Sequence, residues 1–137
     1  MTIVVDASVV VSIVAAEANS DAARALVAGE AVVAPALVLA EVGNALWRKV
    51  RLRMMEADKA RRATARLPDI CTGLFPLDAL LPATLDLALR RDHPDYDCFY
   101  VALAMHEAAP LVTADRHIAD RRIAERFRND AEVRLLV

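Results

Sequence analysis

The sequence predicts an α/β fold, a three-layer α/β/α sandwich around a central parallel sheet. Short runs of β-branched and small aliphatic residues alternate with longer amphipathic or apolar segments, a pattern that favours strands joined by helical crossovers over hairpins. The chain is 57% hydrophobic but only 4% aromatic. Its helices should therefore be covered on more than one face, packed by small aliphatic side chains. Two of the strand candidates end in an acid, Asp6 and Asp115. In a parallel sheet both acids fall on the rim where ligands bind, because helix N-termini and loop backbones converge there.

The first strand is Ile3-Val4-Val5, stopped by Asp6. Ala7 to Ala16 reads as a helix, and Ser20-Asp21 opens a second from Ala22 to Ala28, closed by Gly29. Ala31 to Ala34 is a second strand, stopped by Pro35, which also suits the first turn of a helix from Ala36 to Arg51. That helix carries Leu37, Val38, Val42, Ala45 and Leu46 as apolar positions, with Glu41 and Asn44 three apart on one face. Glu56 to Leu67 is a charged helix with Arg61, Arg62 and Arg66 towards solvent, broken by Pro68-Asp69. Ile70 to Phe75 reads as a third strand, weakened by Thr72-Gly73. Asp78 can cap a helix from Ala79 to Arg91. After the turn His93-Pro94-Asp95, Tyr96 to Ala108 is a helix so apolar that it must be buried, with Asp97 in its first turn. Pro110 to Thr113 is the next strand, Ile118 to Phe127 a final helix, and Val133 to Leu136 an edge strand.

At 137 residues the chain is expected to be one domain, residues 1–137, large enough to bury a core without staples. The longest apolar run, Ala31 to Ala40, is ten residues with a proline inside it, well short of the roughly 20 a membrane helix requires. The first Arg is Arg24 and the apolar start already carries Asp6, unlike a secretory leader. No membrane association is expected, and the predicted location is cytoplasmic. Cys71 and Cys98 lack metal-ligand spacing and read as small core residues. A net charge of −2 argues against a generally basic nucleic-acid binder but leaves room for a local basic groove. Fifteen of the seventeen basic residues are Arg, a skew that genome composition explains as well as phosphate recognition does.

The chemistry rests on four acids. If the strands ending in Asp6 and Asp115 are neighbours, their carboxylates come close, and Glu41 and Asp97 can reach the same rim from helices that start there. Each has a plainer reading. Asp6 could cap the following helix, Asp97 could simply suit a helix N-terminus, and Asp115 could be a turn former. Glu41 is harder to dismiss, since it lies among Leu39, Ala40 and Val42 and an unpartnered buried acid is costly. Clustered carboxylates in a partly desolvated cleft repel one another unless a cation neutralises them. Hard oxygen ligands of this kind suit Mg²⁺ or Mn²⁺. One or two such ions can activate water for phosphoryl displacement, which points to phosphodiester hydrolysis.

Four stretches, taken together and in order, carry a resemblance. They are Val5-Asp6-Ala7-Ser8, Ala40-Glu41-Val42-Gly43-Asn44-Ala45-Leu46, Tyr96-Asp97-Cys98-Phe99-Tyr100-Val101-Ala102-Leu103-Ala104 and Leu111-Val112-Thr113-Ala114-Asp115. With them the chain resembles the PIN-domain family over essentially its whole length, and more narrowly the VapC-type toxins of toxin–antitoxin modules. The resemblance implies a Mg²⁺-dependent endoribonuclease that leaves a 5′-phosphate and a 3′-hydroxyl. It also implies a homodimer and a small VapB-type antitoxin whose C-terminal tail blocks the acidic site. Asp6, Glu41, Asp97 and Asp115 match the acidic quartet, with Asp6, Asp97 and Asp115 as metal ligands. Ser8, Asn44 and Thr113 match its polar neighbours. The next acid after Asp115 is Asp120, which is not taken as a ligand.

RNA must be held against this acidic pocket, and Arg48, Lys49, Arg51, Arg53, Arg116, Arg121 and Arg122 are the candidate cations, Arg116 foremost. For any one of them a solvated surface role is the simpler reading. His93, His106 and His117 read as surface or core filler. A receiver-like or phosphatase-like domain is disfavoured, because Asp6 is followed by Ala7-Ser8 and no lysine occurs after Lys59. Two alternatives stay open: a PIN-like nuclease acting on structured DNA, and a catalytically silent binding module. The RNA target and cleavage sequence are not encoded in any motif.

Overall fold

The computed structural model describes residues 1–116 and 123–136. In chain order the elements are β1 (Thr2–Val5), α1 (Ala7–Val14), α2 (Ser20–Ala28), β2 (Ala31–Pro35), α3 (Leu37–Arg51), α4 (Ala57–Ala65), α5 (Leu67–Ile70) and β3 (Gly73–Phe75). They continue with α6 (Leu77–Arg91), α7 (Asp95–Glu107), β4 (Leu111–Thr113), α8 (Ile123–Arg126) and β5 (Val133–Leu135). All five strands form one parallel sheet in the order β3-β2-β1-β4-β5.

The alternation of β1 decides the layering. Ile3 and Val5 point into one apolar cluster, with α1, α2, α3, α4 and α5, while Val4 points into a second built from α6, α7 and α8. Successive side chains of a strand face opposite sides, so a central strand buried on both faces reads as an unbroken β-branched run. That is the Ile3-Val4-Val5 signature, and each of the three is 2% exposed or less. On the second face α7 buries every residue from Cys98 to Ala104, as its apolar composition requires. The layered α/β/α sandwich expected from the pattern is the one found.

Several boundaries differ from the sequence reading. Pro68 and Asp69 lie inside the short helix α5, since a proline at a helix start loses only an N–H that has no intrahelical partner. The third strand is correspondingly shorter, from Gly73 instead of Ile70. Pro35 is the last residue of β2, and Ala36 precedes α3. Pro76, not Asp78, stands at the N-cap of α6, and Asp78 sits in its first turn. The first helix ends at Val14. The expected final helix is described only over Ile123–Arg126, because 117–122 lie outside the described residues. Cys71 and Cys98 are buried free thiols, both held up at about 11 by burial. No helix among the described residues is long and apolar enough to cross a membrane.

What positions the site is the point where the connections change direction. From β1 the chain moves outward to β2 and β3, then returns across the other face through α6 and α7 to β4, on the far side of β1. Crevices at such a switch, outside the carboxyl ends of the strands, are where parallel α/β sheets bind ligands. Asp6 immediately follows β1, and Asp115 follows β4 by two residues.

Candidate active site at the sheet switch point

Asp6 is the N-cap of α1, with extended backbone and a side chain 6% exposed. Its Oδ1 accepts from the backbone N–H of Ser8 at 3.0 Å, from that of Val9 at 3.3 Å, and from the Ser8 hydroxyl. Its Oδ2 accepts from the Thr113 hydroxyl. The capping role is therefore real, and it is also what fixes the carboxylate in place. A carboxylate offers about four acceptor positions, and Oδ2 keeps one of its two.

The same hydroxyls tie the two strand ends together. Ser8 Oγ accepts from the Ala114 N–H at 2.9 Å, and Thr113 Oγ1 accepts from the Asp115 N–H at 3.1 Å. Each hydroxyl thus gives its proton to Asp6 and uses a lone pair on the backbone leading to Asp115. Their presence in the motifs has a geometric reason: they weld the end of β1 to the end of β4. Despite four favourable donors, burial pushes the Asp6 carboxyl above its ordinary value.

Glu41 lies on α3 and is exposed by surface area, contrary to the expectation of a buried acid. Its carboxyl is nevertheless raised, first by desolvation in the concave cleft and then by the negative charges of Asp6 and Asp97. The hydroxyl of Tyr100 donates to Glu41 Oε1 at 2.5 Å and opposes that rise. Tyr100 is 4% exposed, and its phenol is strongly raised by burial and by Glu41, so it stays protonated as a donor. Asp97, in the first turn of α7, has its Oδ2 at 2.8 Å from Nε2 of His93.

A cleft of about 710 Å³ takes in Asp6, Ser8, Glu41, Asn44, Asp97 and Asp115. Thr113, fully buried, supports Asp6 from below. All four predicted acids thus face one space. They approach without closing on a point: among the described residues no three His, Cys, Asp or Glu side chains stand close enough to hold a metal ion as they are. The donor chemistry still suits a hard divalent cation, because the raised carboxyls of Asp6 and Glu41 and their mutual repulsion are what such a charge relieves.

Arg48 and Lys49, about two turns along α3 from Glu41, also line the cleft. Lys49 is engaged by Glu17 at 2.7 Å, and Arg51 lies 5.4 Å from the centre of the Trp47 ring. Arg116 is exposed just beyond Asp115, and Arg53 is exposed with a left-handed φ of 58°. His117, Asp120, Arg121 and Arg122 lie outside the described residues.

Sequence reasoning missed two residues. His93, which reads from the sequence as filler, contacts Asp97, and Tyr100, whose motif assigns it no role, contacts Glu41. Tyr100 had a signal, since a hydroxyl within the apolar run of a buried helix needs a partner, and its three-residue spacing from Asp97 puts both on one face. His93 had none, because it precedes the helix and its approach depends on the turn. Removing the phenol hydroxyl in Tyr100→Phe is expected to raise the Glu41 carboxyl further in the metal-free protein. Side-chain carboxyl NMR titration would read the shift, and a fall would refute the assigned hydrogen bond.

The profile of the PIN domain matches residues 3–124. Ribonuclease VapC1 of Mycobacterium tuberculosis is 36% identical over 117 residues, covering 85% of this chain and 87% of that protein. Ribonuclease VapC3 of Pyrobaculum aerophilum is 31% identical over 124 residues, covering 88% and 95%. Among solved structures, PAE2754 from Pyrobaculum aerophilum superimposes with a TM-score of 0.65 at 26% identity, over 97% of this chain and 83% of that one. VapBC2 from Rickettsia felis, bound to a DNA fragment from its promoter, gives a TM-score of 0.69 at 12% identity, over 100% of both chains, a likeness of fold.

Proposed function

This chain belongs to the PIN-domain family, among its VapC ribonucleases, and we propose that it is a divalent-metal-dependent endoribonuclease acting as the toxin of a toxin–antitoxin pair. The observation that carries the reading is the shared cleft at the sheet switch point, lined by Asp6, Glu41, Asp97 and Asp115, where desolvation and then the negative charges of Asp6 and Asp97 raise the Glu41 carboxyl.

Asp6, Asp97 and Asp115 would hold the metal, Mg²⁺ or Mn²⁺, with Glu41 beside it. When bound, the ion supplies activation of water and stabilisation of charge on the phosphoryl oxygens. The chain's own part is orientation. Ser8 and Thr113 lock Asp6, and Tyr100 holds one Glu41 oxygen so that the other is aimed at ligand or water. Asn44, on the same face of α3 as Glu41, adds an uncharged polar group to the cleft wall. Arg48, about two turns along α3 from Glu41, adds a cation to the cleft wall, suited to a phosphate further along a strand. Water attacks the scissile phosphorus and the bond to O3′ breaks, leaving a 5′-phosphate and a 3′-hydroxyl.

Two partners complete the proposal. A VapB-type antitoxin tail would cover the cleft, whose rim includes the exposed Leu52 and Met54, 61% and 67% accessible. A homodimer would bury Leu81, Leu85 and Leu89, which recur every fourth residue along α6 at 47%, 50% and 74% exposure. The decisive test is incubation of total cellular RNA with purified protein in Mg²⁺ or EDTA, followed by end-mapping. Discrete fragments bearing 5′-phosphates, formed only with metal, are expected. Intact RNA with cleaved structured DNA, or binding without cleavage, would replace the reading with one of its rivals.

A further inference from the structure

Asp97 is held from outside the acidic set, and the hold traces back to the C-terminal part of the chain. His93 sits in the turn between α6 and α7, its side chain 13% exposed, with Nε2 at 2.8 Å from Asp97 Oδ2. Since an ionised carboxylate can only accept, Nε2 is the donor. The ring also packs against that of Phe127, at a centroid distance of 5.4 Å and nearly perpendicular to it, and Phe127 is fully buried. The turn itself is pinned by the same segment. Arg126 Nη1 donates to the carbonyl of Asp92 at 2.6 Å and to that of Arg91 at 3.3 Å, while Arg91 makes a two-pronged contact with Asp130 at 2.9 and 3.0 Å. Asp92 takes the left-handed conformation that ends α6 and directs the chain into this turn.

We infer that His93 is a positioning residue for Asp97, holding its Oδ2 so that Oδ1 is presented to the metal, with Phe127 as the brace behind the ring. This rests on the proposed metal-dependent reading. An unsupported carboxylate on the first turn of a helix has several rotamers; one hydrogen bond from a braced ring selects among them. Partners of this kind, one step removed from the ion, are typically worth about 10–100-fold in metal affinity or activity when removed.

The test is Mn²⁺ binding to the purified full-length protein, followed by calorimetry, beside cleavage kinetics and thermal melting. His93→Ala is expected to weaken Mn²⁺ binding by roughly 10–100-fold and lower kcat with little change in KM for RNA. His93→Gln, whose amide N–H can reach where Nε2 stands, is expected to recover most of both. In an Asp97→Asn background the His93→Ala change should add no further loss of binding. Wild-type Mn²⁺ affinity in folded His93→Ala overturns the proposal, as does an equal loss in His93→Ala and His93→Gln, or an additive loss on Asp97→Asn. A wild type that binds Mn²⁺ and cleaves RNA keeps the functional reading when the positioning role fails; one that does neither overturns both.

Discussion

Asp6→Asn is expected to abolish RNA cleavage and yet to leave the metal-free protein melting no lower than wild type. Losing several kcal/mol of charge stabilisation corresponds to a drop of about 10³-fold or more in rate. The fold should survive, because the Asn oxygen can still accept from the Ser8 and Val9 amides and so keep the cap of α1. Burial raises the Asp6 carboxyl above its ordinary 3.8, so folding favours the protonated form. The resulting penalty is absent below that ordinary value, grows as pH rises through the raised one, and is full above it. At neutral pH the metal-free wild type carries the penalty and the Asn variant does not. A divalent cation should raise the wild-type melting temperature and have a smaller effect on the variant. Melting curves from pH 3 to 8 in EDTA and in Mg²⁺, with cleavage assays alongside, would read this. Cleavage retained by Asp6→Asn in Mg²⁺ would reject the site.

The sheet was legible because its central strand is buried on both faces, which forces β-branched residues into consecutive positions. The acids were legible for a related reason: a strand that ends in Asp, followed by a helix, needs a cap, and Asp6 serves both demands. What stayed hidden depends on tertiary approach. The Tyr100 contact with Glu41 spans 59 positions, and His93 finds Asp97 only through the turn set by Asp92 and Arg126. Glu41 misled in one respect. Of its apolar neighbours in sequence only Val42 is buried, while Leu39 and Ala40 are exposed, so adjacency did not predict burial. The cations misled in another, since local sequence does not reveal that Lys49 is engaged by Glu17 from the connection between α1 and α2.

Phe127→Ala is expected to cost about 3–5 kcal/mol, the usual range for emptying a fully buried aromatic site. Against a total stability of roughly 5–15 kcal/mol, that is enough to leave a large unfolded fraction in a marginal domain. Phe127 is fully buried in the cluster of α6, α7 and β4, so the hole opens on the face of the sheet behind the cleft. Its carbonyl also accepts from the Asp130 and Ala131 amides, which holds the turn leading to β5. Phe127→Leu keeps much of the volume and should cost far less, yet it removes the ring that packs against His93. The pair therefore separates packing from positioning. Urea unfolding should rank wild type, Phe127→Leu and Phe127→Ala in that order. Mn²⁺ affinity in folded Phe127→Leu should fall below wild type although its stability remains close. A cost below about 1 kcal/mol for Phe127→Ala would mean that the C-terminal segment is not part of the core, and the brace behind the acidic cleft would lose its foundation.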